Sequence, residues 1–288
     1  SSNPTLATSG TVALTGATGF IGRTLVSALT LNGWRVRALV RADSADTDFP
    51  TEVVTITGNL EDTASMHELM TEVDAVVHCA GVVRGASTRY FEKTNVDGVK
   101  RLVDIAANKM PPPRLLLMSS LAASRPHLSA YATSKYKGER VLSEGAGSGL
   151  QWSVFRPPAV YGPGDQEMTP LFRAMAHGIA PVWGKSDARF SLLYVQDLAD
   201  AVLSWLASET TNKKTFELHD GHDGGYSFNE VIDTAERVFG RRITQLRVPA
   251  IALKAVSNIN LAMAKTFGYA PMLTPGGLRH APFPLVYP

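Results

Sequence analysis

The sequence predicts an α/β protein built on a doubly wound parallel sheet. Short runs rich in β-branched and other apolar residues alternate with helical patterns through the first half of the chain. The runs are almost continuously apolar, which is typical of strands that are buried on both faces. With 288 residues, the chain is long enough for one large α/β domain or for a unit of two lobes.

Six strands are predicted in the first 160 residues. They are residues 11–16, 35–40, 52–57, 74–81, 114–120 and 151–157. Helical patterns lie between most of them, at residues 20–32, 95–110 and 129–145. In the first helix Ile21, Leu25 and Leu29 share one side, and Gly33 is expected to end it.

The local composition of the chain changes after residue 160, where "YGPGD" and "GIAPVWG" are rich in turn residues. A strand is predicted at 190–195, a helix at 197–208 with Asp197 as its N-cap, and a last strand at 215–220. Two more helices are expected, one beginning with the capping-box pair Ser227 and Glu230, the other over residues 249–268.

Composition excludes several classes of partner. The net charge is only +2 and no basic run stands out, so neither a nucleic acid nor an anionic membrane surface is expected as a partner. No stretch approaches 18 uninterrupted apolar residues, so no membrane span is predicted. The first ten residues lack the pattern of a secretory signal and are interpreted as a short disordered lead-in.

Cysteine usage bears on the compartment and on metal binding. The single cysteine, Cys79, excludes an internal disulfide and fits a reducing, cytoplasmic environment. His78 and Cys79 are expected to pack at the buried end of the fourth strand. No second cluster of metal-ligating residues supports them, so no metal site is predicted.

A glycine-rich turn joins the first strand to the first helix. "VALTGATGFIG" places Gly16, Gly19 and Gly22 three residues apart, a spacing that differs from the standard dinucleotide fingerprint. It does stand in the required context, between a strand and a helix. Glycines in such a turn let the backbone approach a pyrophosphate, and the helix N-terminus offers N–H donors. The turn therefore predicts a cofactor site formed by Gly16, Thr18, Gly19, Phe20, Ile21 and Gly22.

The end of the second strand bears on which dinucleotide binds. An NAD site usually has an acidic residue about 20 residues beyond the glycines, and an NADP site has an arginine. Arg41 stands at this point in "ALVRADS", and Asp43 follows two residues later. An arginine fork suits a phosphate dianion, so NADP is favoured, although Asp43 leaves NAD possible.

Ser120, Tyr131 and Lys135 are the predicted catalytic residues. In "SAYATSKYKGER", residues 129–140, Tyr131 and Lys135 are four apart and hence neighbours on one helix face. Ser119 and Ser120 end the fifth strand, at the rim where ligands bind in such sheets.

Reduction of a carbonyl needs a hydride and a proton. Free tyrosine has a pKa near ~10, and the positive charge of Lys135 beside an oxidised nicotinamide is expected to lower it. Ser120 would hold the substrate oxygen. The alternative is a helix-start aromatic followed by a solvated lysine.

Together these segments resemble the extended short-chain dehydrogenase/reductase superfamily, in its NAD-dependent epimerase/dehydratase group. The resemblance covers roughly residues 11–280. It is carried, in the family's order, by "TGATGFIG", "GNLED", "VHCAG", "NVDG", "SSLAA", "YATSK" and "RPPAVYGPGD". It implies a Rossmann domain over residues 10–160, to which 190–220 returns, and a small C-terminal substrate lobe formed by 161–189 and 221–288.

The resemblance also implies roles for single residues. Asn59 and Leu60 would flank the adenine, Ala80 and Gly81 would line the cofactor, and Asn95 would support the active-site network. Further cofactor contacts would come from Ser119, Lys135, Pro158 and Val160. Family members often pair through the helices that correspond to 95–108 and 129–145, so a homodimer is expected.

Three functions remain open. The preferred one is an NAD(P)-dependent oxidoreductase that interconverts a carbonyl and an alcohol on a small or moderately apolar substrate. The alternatives are a nucleotide-sugar epimerase or dehydratase and a non-catalytic NADP-binding sensor or assembly protein. Ala159 stands where those sugar-nucleotide enzymes carry an asparagine, and Phe190 where they tend to carry an arginine, which disfavours the first alternative.

Overall fold

A seven-stranded parallel sheet forms the centre of the protein, in the order β3-β2-β1-β4-β5-β6-β11. The computed structural model describes residues 10–248, apart from 45–46, 85–86, 148, 183–187 and 211. The register is direct, with Val12 of β1 opposite Val36 of β2 and Ala75 of β4. The predicted α/β class and doubly wound parallel sheet are confirmed. The sheet runs outward in both directions from β1, so a switch point lies between β1 and β4.

The strands of the central sheet are β1 (Gly10–Thr15), β2 (Trp34–Val40), β3 (Val53–Thr57), β4 (Ala75–His78), β5 (Arg114–Met118), β6 (Trp152–Arg156) and β11 (Lys214–Glu217). Six short strands form three separate pairs: β7 (Ala159–Tyr161) with β10 (Leu192–Tyr194), β8 (Ile179–Val182) with β13 (Thr244–Arg247), and β9 (Arg189–Phe190) with β12 (Tyr226–Ser227).

The helices are α1 (Phe20–Leu31), α2 (Thr63–Leu69), α3 (Thr88–Glu92), α4 (Val99–Ala107), α5 (Ala130–Gly145), α6 (Thr169–Ala176), α7 (Val195–Ala207) and α8 (Phe228–Phe239). A π-helical turn, Lys93–Gly98, connects α3 to α4. None of the helices within the described ranges has the apolar length that crossing a bilayer requires.

Two hydrophobic clusters cover the two faces of the sheet. On one face, α1 and α7 pack their buried residues against β1, β2 and β4. On the other face, residues of α2, α4 and α5 pack against the sheet. A third, smaller cluster includes Met168, Phe190 and Phe228 and joins α6 to α8. The division of the chain into two lobes remains a prediction.

Local sequence explains how the helices begin and end. Gly33, with φ of +78°, follows α1 as expected for a glycine beyond a helix end. The Ser129 side chain accepts from the Ala132 N–H and so fixes the start of α5. The predicted capping box of Ser227 and Glu230 is present at α8, which ends at the left-handed Gly240.

The six predicted strands of the first half are all present, and the predicted strand at 215–220 is the edge strand β11. The prediction that Asp197 caps a helix is wrong. The helix α7 begins at Val195 after Tyr194, so Asp197 lies within its first turn, where its carboxylate meets the positive end of the helix. The strand predicted at 190–195 is divided at Ser191 into β9 and β10, which pair with different partners.

Two predicted segments and the predicted homodimer are not confirmed by the structure. The lead-in before residue 10 and the helix expected over 249–268 lie outside the described residues. The apolar residues of α4 and α5, among them Leu102 and Leu142, are buried in the protein's own core. Those faces are therefore already covered, and a homodimer remains a prediction without support from them.

Candidate active site

The glycine turn has the shape that a dinucleotide requires. Gly16 has φ of +74°, and a Cβ placed there would lie 2.6 Å from the Ala80 nitrogen. A Cβ at Gly22 would lie 2.0 Å from the Gly16 carbonyl oxygen. Gly19 is the N-cap of α1 and has no side chain to bond the first N–H groups of the helix. These donors can therefore bind a pyrophosphate, and the turn fits such a group.

The other residues predicted in this turn are distributed around it. The Thr18 carbonyl accepts a hydrogen bond from Arg23 Nε at 2.9 Å. Ile21 packs against the hydrophobic core. The Phe20 ring faces the loop after β7, where a Cβ on Gly164 would be 3.8 Å from its Cδ2 atom. The turn thus borders both the sheet and the loop that follows it.

The residues predicted to contact the adenosine end lie at the ends of β2 and β3. The Arg41 side chain is 69% exposed, and its Nε atom is 3.5 Å from Asp43 Oδ1. The Asn59 side chain accepts from the Glu61 N–H at 2.8 Å. Leu60 lies against Gly98, the last residue of the π-helical turn. Arg41 is free to turn toward a ligand, because its contact with Asp43 is long and exposed to solvent.

Gly81, Asn95 and Lys135 lie together. A Cβ on Gly81 would be 3.0 Å from Lys135 Nζ and 3.2 Å from Asn95 Oδ1. The Lys135 ammonium donates to the Met118 carbonyl at 2.9 Å. The Asn95 amide bonds both backbone groups of Val82, at 3.0 and 3.1 Å, and donates to Ser134 Oγ at 3.0 Å. The three residues therefore join the end of β4 to helix α5.

The Ser120 hydroxyl lies close enough to the Tyr131 phenol to influence its pKa. Tyr131 lies in the first turn of α5, and the Phe91 ring packs edge-on against it at a centroid distance of 6.1 Å. Ser120 also accepts from the Ala122 N–H at 3.2 Å, so its hydroxyl group is held at the rim beyond β5. The structure thus places the predicted serine beside the predicted tyrosine.

The pKa of Tyr131 differs from the expectation. Burial raises it above its usual value, the hydrogen bond from Ser120 opposes this, and the charge of Glu167 raises it further. In the chain alone the pKa is thus raised, because burial disfavours a phenolate. The lowering expected from Lys135 together with an oxidised nicotinamide stays a prediction. Burial also lowers the pKa of Lys135 to about 8, and the negative charge of Glu139 acts in the opposite direction.

A buried ion-pair cluster, which the sequence analysis missed, holds α5 to the sheet. Glu139 accepts from Arg156 Nε at 3.0 Å and from Nη2 at 2.7 Å, and Ser119 Oγ donates to the same carboxylate. Arg156 also bonds Glu217 at 3.0 Å. The available signal was spacing, since Glu139 follows Tyr131 and Lys135 at intervals of four on one helix face. The Ser119 hydroxyl donates its proton here, so toward a cofactor its side chain can act only as an acceptor.

The remaining predicted residues are near the same rim. Pro158 is buried, and Val160 of β7 pairs with Leu193 of β10. His78 is buried, with its Nδ1 atom 2.7 Å from Thr15 Oγ1, and burial lowers its pKa to about 3. Burial raises the pKa of Cys79 to about 12. Across the part of the chain that the structure describes, no group of three His, Cys, Asp or Glu side chains is arranged to hold a metal.

The sheet order and the glycine turn at its switch point define a class of proteins that bind a nicotinamide dinucleotide. The chain belongs to the NAD dependent epimerase/dehydratase family, whose sequence model matches residues 12–218. Members of this family are NAD(P)-dependent enzymes, and this protein is an NAD(P)-dependent oxidoreductase of that family.

Three comparisons place it within the family. The chain is 35% identical over 242 residues to the ceramide reductase of Caulobacter vibrioides (strain NA1000 / CB15N), covering 83% of this chain and 74% of the relative. It is 28% identical over 252 residues to the UDP-glucose 4-epimerase of Vibrio cholerae, covering 79% and 73%. A solved structure of MoeE5 in complex with UDP-glucose and NAD matches with a TM-score of 0.71 and 25% identity, covering 83% and 85%.

Proposed function

We propose that the protein is an NADP-dependent reductase that converts a ketone on an apolar substrate into an alcohol. The observation that carries this proposal is the placement of Ser120 beside Tyr131 at the carboxyl edge of the sheet. A hydroxyl group that can bind a carbonyl oxygen and a phenol that can protonate it stand side by side there.

Each group of the chain has one task in this reaction. The bound dinucleotide supplies a hydride to the carbonyl carbon. Ser120 donates a hydrogen bond to the carbonyl oxygen and holds it beside Tyr131. Tyr131 transfers its proton to that oxygen as the carbon–oxygen double bond becomes a single bond. The raised pKa of Tyr131 keeps the phenol protonated near neutral pH, as a proton donor requires.

Lys135 and Asn95 support this pair. Lys135 is buried with its ammonium beside Gly81, where it would bind the ribose of the cofactor. Asn95 holds the Val82 backbone and so keeps the end of β4 against α5. Asn59, Leu60, Ala80, Gly81, Pro158 and Val160 would line the cofactor along the same edge.

The comparison with known relatives favours reduction over epimerisation. The relative named as a reductase is 35% identical, and the one named as a UDP-glucose 4-epimerase is 28% identical. Ala159 and Phe190 also depart from the residues expected in sugar-nucleotide enzymes. A nucleotide-sugar epimerase is the second candidate, because the chain resembles both that epimerase and MoeE5.

Consumption of NADPH with a panel of aldehydes and long-chain ketones tests the proposal. Tyr131→Phe is expected to lower kcat by about 10²–10⁴-fold, because the proton donor is removed while the ring remains. Tyr136→Phe is the matched control, since Tyr136 is an exposed phenol on the same helix. Full activity in Tyr131→Phe, or tight binding of uridine diphosphate without turnover of any ketone, contradicts the proposal.

A further inference from the structure

The ring of Phe91 lies against the phenol that the proposed reaction uses. The Phe91 and Tyr131 rings meet edge-on, with their centroids 6.1 Å apart and their planes at 61°. Phe91 is only 7% exposed and is the buried residue of α3. It nevertheless belongs to none of the three hydrophobic clusters that the described residues form. Phe91 is therefore buried at the candidate active site, apart from the hydrophobic core.

The helices that carry the two rings are fixed to each other one turn further on. Asn95, four residues after Phe91, donates to Ser134 Oγ at 3.0 Å. Ser134 Oγ in turn donates to the Tyr131 carbonyl at 2.7 Å. Gly138 lets the two backbones approach there, because a Cβ on it would lie 2.4 Å from the Asn95 carbonyl oxygen. The main chain at Tyr131 therefore cannot move away from Phe91 without breaking these bonds.

A fixed main chain does not by itself fix the phenol, because the Tyr131 side chain can still turn about two bonds. Each staggered arrangement points the hydroxyl group in a different direction, and the observed one places it beside Ser120. An aromatic ring that packs edge-on restricts such turning, and aromatic pairs prefer this geometry to a flat stack. Phe91 is therefore placed to hold Tyr131 in the orientation that the reaction needs.

Two charged groups act near the phenol, and Phe91 adds no charge to them. Lys135 follows Tyr131 by one turn of α5, with its ammonium bonded to the main chain of β5 at 2.9 Å. Burial is the main cause that raises the pKa of Tyr131, and the charge of Glu167, which pairs with Arg84 Nη2 at 2.7 Å, adds to it. Loss of the Phe91 ring would thus change the access of water to the phenol and leave both charges in place.

We propose that Phe91 is a positioning residue, whose ring holds the Tyr131 phenol beside Ser120 and keeps water away from it. This inference rests on the proposed reductase function and adds to it a residue that acts through Tyr131. The sequence analysis did not single out Phe91, because an apolar residue in "TRYFEKTN" carries no chemical signal of its own.

Removal of the ring with retention of an apolar side chain tests the inference. Phe91→Leu should lower kcat with NADPH and a ketone by about 10–100-fold, because a misplaced proton donor loses most of its advantage. The KM for NADPH should change by less than about threefold, since the proposed cofactor site does not include Phe91. Phe91→Tyr keeps an aromatic ring and should stay within about fivefold of the wild-type kcat. Tyr90→Leu is the matched control, because Tyr90 is 46% exposed on the same helix, and it should change neither value.

An NMR titration of ring-labelled tyrosine, without cofactor or substrate, reports on the phenol directly. The signal that is absent from Tyr131→Phe belongs to Tyr131. Burial holds the pKa of Tyr131 above its usual value in the wild type. In Phe91→Leu this pKa should fall toward the ordinary ~10 as water reaches the phenol. It should stay raised in Tyr90→Leu.

Urea unfolding of each variant shows that it is folded before it is assayed, and Phe91→Met is the second ringless variant should Phe91→Leu not fold. A folded ringless variant with the wild-type kcat, or with an unchanged titration of Tyr131, overturns the inference. Absence of ketone turnover by the wild type would refute the reductase function alone, because the titration tests the contact between the two rings without any substrate.

Discussion

At the scale of single residues, we expect Arg41 to govern the preference between NADPH and NADH. Its side chain is exposed at the end of β2 and makes only a long contact with Asp43. A guanidinium in this position can bind the 2′-phosphate of NADPH with charge-assisted hydrogen bonds. The same group gains little from the 2′-hydroxyl of NADH.

Substitution of Arg41 by Ala should therefore separate the two cofactors. We expect the Kd for NADPH to rise by about 10–100-fold and the Kd for NADH to change by less than about threefold, since a charge-assisted bond contributes ~1.5–3 kcal/mol. Calorimetric titration of both cofactors measures this. Arg35→Ala, at an exposed position of the same strand, should leave both values unchanged. Equal weakening for NADPH and NADH would show that Arg41 does not contact the phosphate.

Tyr131 shows how burial can outweigh the effect expected from a charged residue on the same helix. Lys135 is four residues away on the same helix, yet its ammonium bonds the Met118 carbonyl, and burial raises the pKa of the phenol. A protonated phenol suits reduction, in which Tyr131 gives up a proton. Oxidation of the alcohol would need the phenolate, which the positive charge of an oxidised nicotinamide would favour.

At the scale of elements, the orientation of α5 depends on the cluster of Ser119, Glu139, Arg156 and Glu217. Glu139 is on the same helix as Tyr131 and Lys135, Ser119 precedes Ser120, and Arg156 ends β6. One buried carboxylate thus joins the helix that carries the phenol to the segment that carries the serine. Loss of one charge from such a buried pair typically costs about 3–5 kcal/mol, because the other charge is left uncompensated.

Glu139→Gln should act on Lys135 as well as on the fold. The charge of Glu139 raises the pKa of Lys135, which burial has lowered to about 8, so its removal lowers that pKa further. Because the proposed role of Lys135 in binding the ribose uses its ammonium form, the alkaline limb of the pH–rate profile should move to lower pH. The profile of kcat/KM for a ketone with NADPH measures this shift.

Glu144→Gln is the matched control for this prediction. Glu144 pairs with Arg140 on the exposed side of α5, where ion pairs contribute little. An alkaline limb that stays in place in Glu139→Gln would show that Glu139 holds the helix without influencing Lys135. Urea unfolding of both variants measures the structural part separately.

At the scale of the whole molecule, the buried His78 makes stability depend on pH. Its folded-state pKa is lowered to about 3 from 6.5, so folding excludes the protonated imidazole. The stability that neutral His78 permits is fully present above pH 6.5 and is lost as pH falls toward 3. One such group costs about 2 kcal/mol between pH 6.5 and 5.

His78→Asn should remove this part of the pH dependence. The difference in the free energy of unfolding between wild type and variant should shift by about 2 kcal/mol between pH 6.5 and 5, in favour of the variant at the lower pH. Urea unfolding at the two pH values measures it. The exposed His127→Asn should follow the wild type. A pH-independent difference for His78→Asn would mean that the His78 imidazole has the same pKa in the folded and the unfolded protein.

The order of strands in the sheet explains why the candidate residues converge. Parallel strands have their carboxyl ends at one edge, so the segments after β1, β4 and β5 meet there although they are far apart in sequence. Contacts of Gly16 with Ala80 and of Gly81 with Lys135 are the direct result. The convergence of the candidate residues is therefore a property of the topology as much as of any one motif.

Local sequence patterns were sufficient to predict the strands of the sheet, the helix α1 and the capping box of α8. They were also sufficient to find the motifs that contain Gly16, Tyr131 and Lys135. These features depend on neighbours within a few residues, where periodicity, glycine and capping groups act directly. Asp197 shows the limit of such patterns. Its residue type favours an N-cap, but α7 already begins at Val195 after Tyr194, so Asp197 lies inside the first turn.

Only the tertiary structure revealed the pair of Arg84 with Glu167, the cluster around Glu139 and the raised pKa of Tyr131. The pair and the cluster join residues that are 17 to 83 positions apart, and the pKa of Tyr131 depends on burial. A local pattern encodes neither. The sequence determines the chemical type of each side chain. Packing sets its charge partners and its distance from water, and these determine its pKa and its specificity.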